Sequence, residues 1–342
     1  MSYLDRSFKA AHPFAGPQIP GLARDVRLII QIPCYNEEET LPRVLADMPR
    51  AIDGVDTIEI QIVDDGSSDR TVEVARAHGV HHIVRNKGNK GLARSFQAGL
   101  NHAIAQGADI IVNTDGDHQY PGRYIADLVR PIVEGRADVV VGDRNPGANP
   151  EFSPLKRFLQ RFGTRVVRNL SGVDIADAVS GFRAYSREAA LKINVMTKFS
   201  YTTETLIHAG QNGLTVHSVP IETNPATRPS RLFTSMTGFL RKQVVTILRS
   251  VFMYRPLSAF LTLGLVMTAI GVIPILRFAY YFLIGAGDGK VQSLIIGSLF
   301  VSVGYITSVI AFLSDAIATN RRISEECLER LRKLDAKDSE RG

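Results

Sequence analysis

Residues 257–276 and 291–313 are apolar runs without a charged side chain, and they constrain this chain more than any other feature. As helices rising about 1.5 Å per residue, each is long enough to cross a hydrocarbon core about 30 Å thick. A buried hairpin of a soluble protein would have the same run lengths, but the lack of charge over such a distance favours spanning. Between the runs lie Arg277, the aromatic group Phe278, Tyr280, Tyr281 and Phe282, and the glycine-rich stretch 285–289. Arg241, Lys242, Arg249 and Arg255 flank one end of the pair, Arg321 and Arg322 the other, and the connector carries little charge. Basic flanks stay on the cytoplasmic side of a membrane. The expectation is an integral protein of the inner or plasma membrane, with both termini and the domain ahead of the runs in the cytoplasm. Residues 256–314 then hold the two transmembrane helices, and 315–342 form a charged cytosolic tail with a short helix from 321. Arg277 would snorkel to the outer interface or lie inside the bundle. Two spans make a lean membrane domain, so a homo-oligomer would supply further helix contacts.

The rest of the 342 residues is long enough to bury a sizeable core. The net charge of +6 suits an anionic partner, and because the basic residues gather near the apolar runs, that partner is the membrane surface rather than nucleic acid. Cys34 and Cys327 match no metal or disulfide spacing, in keeping with a reduced cytosolic setting. Residues 1–24, punctuated by proline and without a continuous apolar core, read as a loose arm and not as a signal peptide.

From residue 25 onward, short apolar runs recur, each closed by a polar cluster. Arg27-Leu28-Ile29-Ile30-Gln31-Ile32-Pro33 stops at a proline that cannot donate to a ladder, and Cys34-Tyr35-Asn36-Glu37-Glu38-Glu39 follows as the start of a helix. Ile58-Glu59-Ile60-Gln61-Ile62-Val63 leads into Asp64-Asp65-Gly66-Ser67-Ser68-Asp69, where Ser68 or Asp69 can cap the next helix. No local need for the Asp64–Asp65 pair is evident. His82-Ile83-Val84-Arg85 leads into Asn86-Lys87-Gly88-Asn89-Lys90-Gly91, which lacks the position and spacing of a dinucleotide loop. Residues 109–112 lead into Asn113-Thr114-Asp115-Gly116-Asp117-His118-Gln119, residues 137–142 into Asp143-Arg144, and 215–222 read as a late strand. With helices between, this alternation predicts an α/β, doubly wound parallel sheet. Its carboxyl-end rim, where open sheets bind ligands, would carry Glu37, Asp64, Asp65, Asp115, Asp117 and Arg144.

In an extended segment Asp115 and Asp117 point the same way. Two like charges so close repel unless a cation sits between them, and hard oxygen ligands favour Mg²⁺ or Mn²⁺. Asp-Gly is also ordinary turn chemistry, and acids suit the first turn of a helix. Turn chemistry alone does not place acids at successive strand ends, whereas a nucleotide–metal site accounts for all of them.

Three motifs, Ile32-Pro33-Cys34-Tyr35-Asn36-Glu37-Glu38, Val63-Asp64-Asp65-Gly66-Ser67-Ser68-Asp69 and Asp115-Gly116-Asp117-His118-Gln119, resemble in order those of the family 2 glycosyltransferases of GT-A fold. Within that family the chain looks most like the polyprenyl-phosphate sugar synthases, the dolichyl-phosphate mannosyltransferase and undecaprenyl-phosphate glucosyltransferase type. The likeness covers roughly residues 26–235 and implies a GT-A domain over 25–231. It implies inverting transfer of a hexose from a UDP- or GDP-sugar to undecaprenyl or dolichyl phosphate in the cytosolic leaflet. By resemblance, Pro33, Tyr35, Asn36, Glu37, Val63, Asp64 and Asp65, together with Asp115 and Gly116, contact the nucleotide sugar. Asp115, Asp117 and Gln119 hold Mg²⁺ or Mn²⁺ against the diphosphate. Gly116 departs mildly from the alanine usual in that family. Arg144, with Arg157, would grip the diphosphate as a bidentate cation. Asp177, in a segment resembling the one beneath the family's acceptor site, would join Asp117 and Arg144 in the catalytic group as an orienting group or base. Arg183 in that segment reads as structural. Thr227-Arg228-Pro229-Ser230-Arg231-Leu232 resembles the family's basic-serine-basic loop, with Arg228, Ser230 and Arg231 drawing in the lipid phosphate.

Two stretches read as interface helices. Residues 152–170 place Leu155, Phe158, Leu159, Phe162, Val166 and Leu170 on one face and five cations around the rest, with no acid to offset them. Packing on the sheet as an ordinary surface helix is the alternative. Residues 232–255 repeat the pattern as a juxtamembrane helix. A processive polysaccharide synthase shares the acidic motifs but carries a Gln-x-x-Arg-Trp sequence, and this chain has no tryptophan. A non-catalytic membrane scaffold of this fold would be expected to lose acidic ligands that are present here.

Overall fold

Burial of alternate faces explains the sheet. The computed structural model describes residues 25–144, 154–195, 201–225, 245, 249, 251–285, 289 and 291–339, and gives side chains for these except at 154–161 and 335–339. Its elements are β1 (Arg27–Cys34), α1 (Leu41–Ala46), β2 (Thr57–Asp64), α2 (Thr71–Ala77), β3 (His82–Arg85), α3 (Leu92–Ala105), β4 (Ile110–Asn113), α4 (Ile125–Val133), β5 (Val139–Asp143), α5 (Pro154–Ser171), β6 (Arg183–Ser186), α6 (Arg187–Lys192), α7 (Tyr201–Gln211), β7 (Val216–Pro220), α8 (Pro256–Leu283) and α9 (Val291–Ser339). In β1, Ile29 packs with Phe96 and Leu100 of α3 and with Leu206 of α7. Its neighbours Leu28, Ile30 and Ile32 pack instead with Leu41 of α1, Ala75 of α2 and Leu128 of α4. Period-two alternation thus feeds two cores, one on each face. Each Leu or Ile so buried contributes about 1.5–3 kcal/mol.

The strand order is β3-β2-β1-β4-β6-β5-β7. β6 runs antiparallel to both β4 and β5, so the expected all-parallel sheet is corrected to a mixed one. Arg183 enters the sheet opposite Asn113, at the rim end of β4, so the chain returns without crossing to the far end. The four residues Arg183-Ala184-Tyr185-Ser186 present no apolar run that would announce a strand. A row of amides crosses the α3 face: the Gln31 Nε2 donates to Asn113 Oδ1 at 2.8 Å, and the Gln61 Nε2 donates to the Gly99 carbonyl at 2.9 Å. A Cβ on Gly99 would stand 2.6 Å from Gln31 Oε1 and 2.7 Å from Val63 Cγ2, so glycine is required for α3 to approach this row.

α8 and α9 are long and apolar enough to cross a membrane, and only 11% and 17% of their apolar windows are buried, unlike the core helix of a soluble protein. Two glycine pairs let them touch backbone to backbone. A Cβ on Gly271 would meet the Gly297 carbonyl at 2.7 Å, and one on Gly264 the Gly304 carbonyl at 2.7 Å. Arg277 and the aromatic group, expected in the connector, belong to α8, which ends only as the chain reaches Gly285 at φ +74°. α9 runs unbroken for 49 residues because neither Gly nor Pro follows Gly304 within it, so the expected separate tail helix is its continuation.

Past its apolar part, α9 fastens onto the sheet domain. Arg332 Nη1 donates to the Ile193 carbonyl at 2.9 Å, just past the end of α6. Arg321 lies over the Tyr254 ring at 4.7 Å and pairs with Glu325 at 3.3 Å. His208 of α7 is buried beside them, and desolvation, followed by Arg321 and Arg332, pushes its pKa down to about 4. Of the 232–255 helix, Val245, Arg249 and 251–254 are helical and Arg255 breaks the helix at φ −136° ahead of α8; the other residues, like the 1–24 arm, lie outside the described residues.

Candidate active site

Three strand ends deliver the acidic residues. After β1 the chain turns at Asn36, φ +56°, before α1 begins at Leu41. The acidic cluster therefore lies ahead of α1 and not in its first turn, which has no acid, so the helix-dipole explanation for it falls away. Asn36 stitches the first two rim loops together: its N–H donates to Ser67 Oγ at 2.9 Å, and its Oδ1 accepts from the Ser68 N–H at 2.8 Å. Glu37 is buried, its Oε2 accepting from Thr40 Oγ1 at 2.8 Å. The same hydroxyl reaches the Gly116 carbonyl at 2.7 Å, which joins Glu37 to the acidic loop after β4. Tyr35 stands 39% exposed on the rim.

Asp64 and Asp65 do have local partners, which corrects the sequence reading. Asp64 Oδ1 accepts from the Ser67 N–H at 3.0 Å, and its other oxygen lies 3.2 Å from Arg85 Nε. Asp65 accepts from Asn86 Nδ2 at 2.9 Å, the Lys90 N–H at 2.9 Å and the Gly91 N–H at 2.8 Å. It thereby holds the 86–91 loop against the rim. Val63 is fully buried, its side chain toward Gly99, and it pairs with Pro33 on one side and Val84 on the other. Pro33, buried opposite Val63, does not end β1 as expected; the strand runs on to Cys34, paired with Asp64.

Asp115, Asp117 and Gln119 leave β4 in a turn, not the extended segment expected, with His118 at φ +60°. Asp117 Oδ1 accepts from the Gln119 N–H at 3.1 Å. The turn reading of Asp-Gly-Asp therefore holds, and the turn still sets the two carboxylates within electrostatic reach of each other. Desolvation first, then Asp117, pushes the Asp115 pKa up to about 7. Gly116 leaves no spare room: a Cβ there would lie 3.1 Å from Cys34 Sγ and 3.3 Å from Glu37 Cγ. Burial, aided by Glu37, Asp64 and Asp115, raises the Cys34 thiol well above its ordinary pKa, so it stays protonated.

Arg144 and Asp177 face each other across the rim. Arg144 Nε donates to Asp177 Oδ2 at 2.7 Å and Nη2 donates to Oδ1 at 3.0 Å, a bidentate fork. Asp177 also accepts from the Val179 N–H at 3.1 Å and the Ser180 N–H at 3.2 Å, and is buried. With its oxygens so engaged it orients Arg144. Arg183 is wholly buried and donates to the carbonyls of Ser180, Thr202 and Ala178 at 2.9, 2.6 and 2.9 Å, so it braces the loop that carries Asp177. Arg157 lies in α5 without a described side chain, and Arg228, Ser230 and Arg231 lie outside the described residues.

Sequence reasoning missed Tyr120, Asn113, Tyr201 and Asn224. Asn224 ties the segment after β7 to the acidic loop, its N–H donating to the Gln119 carbonyl at 2.9 Å and its Nδ2 to the His118 carbonyl at 2.9 Å. That tie sets Asn224 against the backbone of the acidic loop. The only sequence signal was an asparagine before a proline.

Among the described residues, no cluster of three or more His, Cys, Asp or Glu side chains is set to hold a metal unaided. The donor set nevertheless fits a hard divalent cation: two carboxylates whose mutual repulsion already raises one pKa, plus the Gln119 amide. A pH effect follows. The Asp115 pKa is near 7 folded and about 3.9 unfolded, so between those values the folded state binds more protons. Without cation, stability should fall as pH rises from about 4 to about 7. Cation binding requires the carboxylate, so Mn²⁺ affinity should climb up to tenfold per pH unit over the upper part of that range and level off above about 7. Thermal midpoints in chelator and Mn²⁺ titrations at stepped pH check both slopes, and Asp115→Asn should flatten them.

Residues 29–193 match the Glycosyl transferase family 2 domain. The chain is 33% identical over 194 residues to a dolichyl-phosphate hexose transferase of Haloferax volcanii, covering 57% of this chain and 81% of that protein. It is 30% identical over 206 residues to a polyprenol monophosphomannose synthase of Mycolicibacterium smegmatis, covering 57% and 76%. Among solved structures, glucosyl-3-phosphoglycerate synthase of Mycobacterium tuberculosis, crystallised with Mn²⁺, UDP and glucosyl-3-phosphoglycerate, matches with a TM-score of 0.50 over 66% of this chain and 79% of that one, at 20% identity. That match shows a shared GT-A fold.

Proposed function

The chain belongs to glycosyl transferase family 2, and from that footing we propose that it moves a hexose from a UDP- or GDP-sugar to polyprenyl phosphate at the cytosolic leaflet, with inversion. The observation that carries this reading is one rim holding the Asp115–Asp117 pair and the forked Arg144–Asp177 pair, in a chain with a membrane-length hairpin. The relatives named for dolichyl and polyprenol phosphates support the acceptor class.

In this reading Tyr35, Asn36, Glu37 and Asp65 shape the nucleotide end of the site. Asp115, Asp117 and Gln119 hold Mg²⁺ or Mn²⁺. When bound, the cation offsets charge on the departing diphosphate as a Lewis acid. Arg144, oriented by Asp177, grips the same diphosphate. A lipid phosphate oxygen attacks the anomeric carbon in line, the bond from that carbon to the nucleotide oxygen breaks, and the nucleoside diphosphate leaves with its electron pair. A phosphate monoester with a second pKa near about 6 is largely ionised at neutral pH, so no strong base is required. Arg228 and Arg231 draw that phosphate in, and α8 and α9 hold the protein where the lipid is. Both termini and the sheet domain then face the cytoplasm, on the positive-inside pattern.

Purified full-length protein in detergent, given Mg²⁺ or Mn²⁺, a panel of UDP- and GDP-sugars and either polyprenyl phosphate or polyprenol, tests the reading. Expected is a sugar phosphodiester of the prenyl chain, inverted at the anomeric carbon, formed from the phosphate and not from the alcohol. Equal transfer to a glycan or a glycerolipid without prenyl phosphate would overturn it.

A further inference from the structure

Gly181 is the meeting point of the two halves of the site. Its carbonyl accepts from Asn113 Nδ2 at 2.9 Å and from Tyr201 Oη at 3.3 Å, while its N–H donates to Tyr120 Oη at 3.3 Å. Three side chains from three parts of the fold therefore hold one peptide: Asn113 ends β4, Tyr201 opens α7, and Tyr120 follows the acidic loop. Asn113 also donates to Tyr201 Oη at 3.0 Å, which closes a triangle on the carbonyl. All three are almost completely buried.

What lies on each side of Gly181 gives the hold its meaning. A Cβ on Gly181 would stand 3.3 and 3.4 Å from the two oxygens of Asp115 and 2.5 Å from Tyr201 Oη, so the bare Cα is the wall against which that carboxylate rests. Four residues earlier in the same loop, Asp177 clamps Arg144. Tyr120 bridges the two directly, its Oη lying 3.5 Å from Arg144 Nη1. The rings are fixed by stacking, Tyr201 on Phe96 at 4.3 Å and Tyr120 on Phe182 at 5.0 Å between centroids. Such rigid outer supports orient the groups that touch a ligand.

We propose that Tyr201, Asn113 and Tyr120 are positioning residues that fix the distance between the Asp115 carboxylate and the Arg144 guanidinium through the Gly181 peptide, so that cation and arginine grip one diphosphate together. This rests on the reading of Asp115 and Asp117 as cation ligands. Neither tyrosine touches the reacting atoms. Each acts through Gly181, and each is replaceable by phenylalanine without loss of its stack.

Full-length wild type, Tyr201→Phe and Tyr120→Phe are compared in detergent. Mn²⁺ binding alone and with UDP or GDP is followed by electron paramagnetic resonance, and thermal midpoints are taken in chelator. Loss of an outer support typically costs about 10–100-fold in metal affinity or activity. Tyr201→Phe should bind Mn²⁺ with nucleotide at least about tenfold more weakly, while its chelator midpoint stays within a few degrees of wild type. Tyr120→Phe should show the same loss, and it decides the matter alone if Tyr201→Phe does not fold. A lower midpoint with unchanged Mn²⁺–nucleotide affinity in both variants would make these hydroxyls merely structural and overturn the proposal. Wild-type protein that binds no Mn²⁺ with either nucleotide would overturn the ligand reading itself, and the proposal with it.

Discussion

Asp117→Asn should reduce sugar transfer by at least about 10³-fold while leaving the protein folded and membrane-inserted. Three decades correspond to about 4 kcal/mol of transition-state stabilisation, within what a cation offsetting leaving-group charge supplies. The substitution is nearly isosteric, and its Oδ1 can still accept from the Gln119 N–H that now closes the turn at 3.1 Å. Loss of the charge also relieves Asp115, whose pKa is pushed up to about 7 partly by its neighbour. Asp117→Asn should therefore be as stable in chelator as wild type, or slightly more so, and should lose the stabilisation that Mn²⁺ with nucleotide gives. Thermal midpoints with and without Mn²⁺, alongside transfer rates, check both halves. Full turnover by this variant would remove the cation from these residues.

The second large effect concerns the Arg144–Asp177 fork. Removing one member of a buried ion pair costs about 3–5 kcal/mol because the survivor is left uncompensated. Asp177 is almost fully buried and Arg144 retains a 20% exposed side chain, so the lower end of that range applies to Asp177→Ala. Activity discriminates better than stability. If Asp177 serves only to aim Arg144, Asp177→Asn and Arg144→Lys should each lower kcat by about 10²-fold, and the double variant should be no worse than the poorer single one. If Asp177 were an independent base, the losses would multiply, and the acid limb of the pH–rate profile would vanish in Asp177→Asn alone.

The parts of the fold legible in sequence are those where burial imposes a period. β1 and β5 are buried on both faces and announce themselves as apolar runs, β2 by its regular recurrence of Ile, and α8 and α9 by length. β6 was illegible because a wholly buried arginine opens it and its partners are carbonyls recruited from 178–202, which no local pattern encodes. The extent of α8 was misjudged because Arg277 was taken as a boundary, although the break comes only at Gly285. In the site, the charged residues at strand ends stood out as chemistry without structural need. The structure supplies some of that need, since Asp65 holds the 86–91 loop and Asp64 the Ser67 turn. The hold on Gly181 could not be read at all, because its hydrogen-bonded partners lie 20 to 88 residues apart and look like core tyrosines and a strand-end asparagine.

The account stands or falls on a divalent cation at Asp115, Asp117 and Gln119 being needed to pass a nucleotide-borne hexose to a prenyl phosphate. Radiolabelled sugar transfer to polyprenyl phosphate by purified full-length protein, stripped with chelator and then resupplied with Mg²⁺ or Mn²⁺, measures this directly. Transfer should stop in chelator and return with either ion in wild type but not in Asp117→Asn; glycolipid formation undiminished by chelation would contradict it.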